Sequence, residues 1–193
     1  GIWIAGGEVV SSRVFGNTAQ VNGGGIYAIG GAVTQTELVN NSAGGMGGGL
    51  WSLNLERGEN LLVANNYAER SGGGMYLLLG TVVNATLVNN LAAYGSGAYL
   101  GTGGVLHNSI LWGNRESGGD KTQLRLAGGN ILNSGVEGGV AVGSGNYKFS
   151  SDNSGSRPGE LYFNFVSATS FAGNATSQAQ LAELARADWQ LAR

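Results

Sequence analysis

The sequence predicts an all-β fold: a single-stranded, right-handed parallel β-helix with about 24 residues per coil and a short C-terminal helix. Three observations carry that expectation. Two unrelated motifs recur in step through five cycles between Gly1 and Asn114. Apolar stretches of strand length alternate with Gly and Asn turns throughout. Glycine accounts for 37 of 193 residues, well above a usual ~7%. Pro158 is the only proline, so a collagen-like helix is excluded.

The first motif is glycine, then an apolar residue, then an aromatic. It reads Gly1-Ile2-Trp3, Gly25-Ile26-Tyr27, Gly49-Leu50-Trp51, Gly74-Met75-Tyr76 and Gly97-Ala98-Tyr99. The second motif ends in asparagine at Asn17, Asn41, Asn66, Asn90 and Asn114. Both motifs advance by the same step, to within one residue, in every cycle. A unit this short cannot bury its own apolar face and must stack on copies of itself. Gly and Asn are poor helix formers, and no 3.6-residue period is sustained, so stacked helices are disfavoured. Stacked strands at the ordinary ~4.8 Å spacing fit the unit.

Each repeated residue then has a place. The apolar member of the triplet (Ile2, Ile26, Leu50, Met75, Ala98) should point inward. Strand side chains alternate, so Trp3, Tyr27, Trp51, Tyr76 and Tyr99 should form an external aromatic ladder. The reverse phase would put these aromatics in the core. The asparagines should sit at a turn, where stacked amides bond rung to rung and left-handed backbone is tolerated. Glycine runs at 23–25, 47–49 and 72–74 should form the corner before each strand.

One β-helix domain is expected over residues 1–193. Residues 1–114 are five regular coils and 115–165 are irregular coils, with a loop near Ser150–Gly159. Residues 166–193 are a cap-like segment. Within it, Ala- and Leu-rich residues 176–187 read as a helix capped by Thr176 or Ser177. Residues Asp188–Leu191 read as a last strand. Gly1 enters in mid-repeat, which suggests a fragment of a longer chain.

Composition limits the function. Net charge is −2, with 10 basic and 12 acidic residues. That offers no basic stripe for nucleic acid and no polybasic patch for an anionic membrane. Without cysteine there is no disulfide framework or thiolate metal site. No stretch reaches the ~18 apolar residues of a membrane helix. No cofactor and no metal are expected.

Catalytic candidates are sparse. Glycoside hydrolysis needs two carboxylates about 5–9.5 Å apart. Glu8, Glu37 and Glu59 fall at different offsets from their asparagines, so they do not share one ladder. Glu56, Arg57 and Glu59 read as a solvated polar loop over Asn54–Asn60, or as half of a sugar site with Arg70. His107, the only histidine, shares its repeat position with Val10, Thr34, Glu59 and Val83 and has no evident partner. No catalytic residue is assigned. The aromatic ladder is the better ligand candidate, because aromatic faces can stack on sugar rings.

Residues Asn108–Asn114 (NSILWGN), then Ser134–Gly139, Asn164–Val166 and Asp188–Leu191, occur in an order that resembles bacterial surface β-helix proteins with a choice-of-anchor Q domain. The repeats are similar, more weakly, to those of chlamydial polymorphic outer-membrane proteins. The resemblance implies a pectin-lyase-like fold, export, and attachment at a bacterial surface. It also implies adhesion or contact with polysaccharide or a host-surface glycan, and it transfers no catalytic residues. The expectation is therefore a non-catalytic structural or adhesive module, secreted or on the cell surface. The alternative is part of a polysaccharide lyase or glycoside hydrolase of the same fold.

Overall fold

A computed structural model describes residues 1–119, 122–140 and 143–149. The expected helix at 176–187, the last strand and the cap-like segment lie outside the described residues. Among the described residues there is no helix, and every strand pairing is parallel.

The strands fall into about six successive coils. The first holds β1 (Ile2–Val10), β2 (Arg13–Phe15) and β3 (Thr18–Ala19). The second holds β4 (Ile26–Thr34), β5 (Glu37–Val39) and β6 (Ser42–Ala43). In the third, β7 (Leu50–Ala64) runs unbroken through two faces and is followed by β8 (Tyr67–Ser71). The fourth repeats that plan with β9 (Met75–Val88) and β10 (Leu91–Tyr94). The fifth holds β11 (Ala98–His107), β12 (Ile110–Trp112) and β13 (Arg115–Glu116). The sixth holds β14 (Leu124–Leu126), β15 (Asn130–Leu132) and β16 (Gly135–Glu137), with β17 (Tyr147–Phe149) paired to β16.

Register explains the sequence period. Ile26 pairs with Leu50, Leu50 with Met75, and Met75 with Ala98. All four are fully buried, so the inward role of the triplet's middle residue holds. A second inward row runs Val14, Leu38, Val63, Leu87, Leu111 and Val136, each beside its predecessor. Burying each large side chain contributes roughly 1.5–3 kcal/mol. These rows are the core, and they exist only because coils stack. The sixth coil keeps this register, with Leu106 beside Ile131 and Leu111 beside Val136, although its sequence has lost both motifs.

The chain turns at three kinds of left-handed residue. Gly23, Gly47, Gly72 and Gly95 take φ between 56° and 68° ahead of each aromatic strand. Ser11, Gln35, Asn60, Asn84, Asn108 and Asn133 form a second corner, with φ between 46° and 58°. Gly16, Asn40, Asn65, Asn89 and Gly113 form the third. The third series corrects the sequence reading. The left-handed residue is the one before each ladder asparagine, and the ladder asparagine itself is free to turn inward.

Candidate functional site

The ladder asparagines are buried. Asn41, Asn66, Asn90 and Asn114 are each at most 1% exposed. In each rung, the Oδ1 of one asparagine accepts from both the backbone N–H and the side-chain amide of the asparagine one coil earlier. For Asn66 as acceptor these distances are 2.9 Å from Asn41 N and 3.1 Å from Asn41 Nδ2. For Asn114 both distances from Asn90 are 2.9 Å. The second amide hydrogen goes to a carbonyl of the preceding coil: Asn41 to Val14, Asn66 to Leu38, Asn90 to Val63 and Asn114 to Leu87, at 2.8–2.9 Å. Every donor of these amides is thereby satisfied, which burial requires.

The two sequence motifs meet here. A Cβ added to Gly49 would stand 3.0 Å from Asn66 Nδ2, and one added to Gly74 would stand 2.8 Å from Asn90 Nδ2. The asparagine amide lies close against the glycine that opens its own coil. Glycine and asparagine recur together because each occupies the space the other leaves.

The sixth coil breaks this pairing and repairs it. Gly139 stands one repeat beyond Asn114, where a sixth asparagine would be. Gln123 stands next to Leu124, where earlier coils have glycine. Its Oε1 accepts from Asn114 N at 3.1 Å and from Asn114 Nδ2 at 2.7 Å. Its own amide donates to Asn114 O and to Glu137 Oε2, both at 3.0 Å. A longer amide thus fills the missing rung from the opposite side.

The aromatic row takes the outward phase. Tyr27, Trp51, Tyr76 and Tyr99 are half-buried on the outer face, in register across β4, β7, β9 and β11. They stack as two close pairs. Tyr27 and Trp51 centroids are 4.3 Å apart, and Tyr76 and Tyr99 are 4.7 Å apart. Trp51 and Tyr76 are separated by 6.3 Å. Interplanar angles of 8–14° leave the rings nearly parallel. Stacking of this kind turns ring edges to solvent and ring faces to one another. A sugar laid across the middle of the row therefore meets edges and phenol hydroxyls. Trp3, in register with Tyr27, is the open ring of the row at 64% exposed. Arg125 replaces the aromatic beside Tyr99 in the sixth coil.

Burial, and then the neighbouring Tyr99 phenol, hold the Tyr76 hydroxyl above its usual value of 10.0. The indole N–H of Trp51 is buried and has no hydrogen-bond partner. Ile29, Leu53 and Leu79 are exposed on the same strands just past the aromatics.

The charged residues are dispersed. Glu56, Arg57 and Glu59 do not form a loop, because they lie within β7, where a register shift lets β7 continue past them. Arg57 reaches over Ala32 to Glu8 at 3.1 Å, two coils away. Arg13 holds Glu37 at 3.2 Å. Arg70 is on β8, in the other sheet. Glu59 shares a row with Thr34, Val83 and His107, as the spacing predicts. His107 Nε2 meets Asn133 Nδ2 at 3.0 Å. Among the described residues, no three His, Cys, Asp or Glu gather as metal ligands would.

The structure adds a second amide ladder that the sequence motifs do not announce. Asn108 Nδ2 donates to Asn84 Oδ1, Asn84 Nδ2 donates to Asn60 Oδ1 at 3.2 Å, and Ser11 Oγ donates to Gln35 Oε1 at 2.8 Å. Its sequence signal is the recurrence of Asn60, Asn84, Asn108 and Asn133 at the same period. No family model, curated protein or solved structure matches the chain.

Proposed function

We propose that this chain is a non-catalytic module, structural or adhesive, of a protein secreted to or displayed on a bacterial surface. The carrying observation is where the repeated chemistry goes. The asparagines are occupied with each other inside the fold, and the row aromatics from Tyr27 to Tyr99 with each other on its wall. What a coil repeats is the means of stacking another coil, which suits a spacer or display rod.

Contact with polysaccharide or a host-surface glycan belongs at the outer aromatic row. Trp3 supplies the open ring face, and the tyrosine edges and hydroxyls continue the strip. Apolar ring with polar tip is the combination that sugars meet well. Glu8 and Glu37 enter the reading as surface ion pairs with Arg57 and Arg13, worth about 0–1 kcal/mol each.

Incubation with a panel of polysaccharides, followed by size-exclusion chromatography of polymer and protein, tests this. Co-elution without polymer shortening is the expected result, weakened more by Trp3→Ala than by Trp51→Ala. Shortening of the polymer would overturn the non-catalytic reading and return attention to a lyase or hydrolase activity.

A further inference from the structure

We propose that Tyr76 and Tyr99 form an oxidative cross-linking site, at which a peroxidase-class one-electron oxidant couples the two rings into a dityrosine bridge between the fourth and fifth coils. Among the described strand pairings, this is the one place where tyrosine faces tyrosine. Tyr27 faces Trp51, and Tyr67 faces Ser42 and Leu91. Tyr94 faces Ser71, and Tyr147 faces Gly135.

The geometry suits coupling. The ring planes are 8° from parallel, with centroids 4.7 Å apart. The backbone register sets the two phenols side by side on neighbouring strands. Both rings are half-buried, so an oxidant reaches them while the backbone ladder of β9 and β11 holds them together. A reaction between groups held in contact has an effective concentration far above that between separate molecules, up to about 10⁵–10⁸ M in well-oriented cases. The rings need to slide and tilt to join, a motion open to side chains at a surface.

The step balances. Each phenol loses one electron and its hydroxyl proton to give a phenoxyl radical. The two radicals join through ring carbons ortho to oxygen, forming one carbon–carbon bond. Each new sp³ carbon then loses its hydrogen as a proton, and a proton returns to each oxygen, restoring two phenols. The protein gives up two hydrogen atoms in all. With hydrogen peroxide as the oxidant, they leave as two waters.

The test treats the full chain with a haem peroxidase and hydrogen peroxide, then separates the products by size under denaturing conditions. The expected result is dityrosine fluorescence in the monomer band. Chymotryptic cleavage between the two positions should leave the Tyr76 and Tyr99 peptides joined. Tyr76→Phe and Tyr99→Phe, which keep the stacked rings, should each abolish the monomer signal, whereas Tyr94→Phe should retain it. Fluorescence confined to covalent dimers, its absence, or its persistence in either phenylalanine variant would overturn the proposal.

Discussion

Asn66 and Asn60 belong to the same coil, and each bonds an amide in a neighbouring coil. One is buried and the other exposed. Along the buried row the residue is Asn in all five coils that form it. Along the exposed row it is Ser11, Gln35, Asn60, Asn84, Asn108 and Asn133. The outer corner asks chiefly for a backbone with φ near 50°, and from Ser11 to Asn84 its side chains are exposed, so water completes whatever they leave open. The buried corner asks for one acceptor and two donors at fixed positions, and only asparagine offers them at that reach. Periodicity in a solenoid is therefore strict where water is absent and loose where it is present.

The largest expected effect breaks the buried row. Asn66→Ala leaves the backbone N–H of Asn41 and one hydrogen of its side-chain amide without an acceptor. Each orphaned buried group costs about 1–3 kcal/mol, so the loss should reach ~3–5 kcal/mol by urea denaturation. Asn60→Ala, which carries the left-handed penalty and loses one exposed bond from Asn84, should cost ~1–2 kcal/mol. Equal costs at the two corners would refute the distinction.

Gln123→Ala should come next, at ~2–4 kcal/mol, because Asn114 then loses the acceptor of two donors at the last rung. Native-state hydrogen exchange should show the fifth and sixth coils opening first. A uniform loss of protection across the chain would mean that the rung is not local.

A smaller effect, of opposite sign, belongs to the exposed corner. Gln35 has φ 50°, and its side chain accepts a single bond, from Ser11. Gln35→Gly should stabilise by up to ~1 kcal/mol, since glycine takes that backbone freely. A fall in the denaturation midpoint would show that the exposed amide row contributes more than conformation.

The smallest effect concerns alkaline pH. Tyr76 is held above 10.0 in the folded state. The folded protein therefore binds the phenol proton more tightly than the unfolded chain does. That contribution is full below pH ~10 and is lost as pH rises through the raised value. Tyr76→Phe should flatten this decline in a pH series of melting curves, and an unchanged slope would rule Tyr76 out as its source.

Much of this is legible in the sequence. The triplet and the asparagine motif yield the coil length, the inward rows and the register, because both are enforced by burial. The outer row is half hidden because Ser11 and Gln35 stand where later coils have asparagine and share with it the backbone conformation rather than the residue. The sixth coil reads as irregular because identity is lost there while register survives. Gln123 and Gly139 exchange the sizes of glycine and asparagine, which a motif search treats as two failures. Glu56, Arg57 and Glu59 look like a loop because polar residues cluster in loops. In β7 they instead lie on an outer wall that water reaches.

The bonding direction of the buried row bears on how such a chain lengthens. Each rung draws its acceptor from the coil that follows, and offers its own acceptor to the coil before. Duplicating one whole repeat anywhere between Asn17 and Asn114 would insert a coil whose demands are already met on both sides. Gln123 is different, because its donors turn back to Asn114 and sideways to Glu137. It closes the series and would not tolerate being copied into the middle. Growth by tandem duplication is thus open along most of the described length and stops at a single residue.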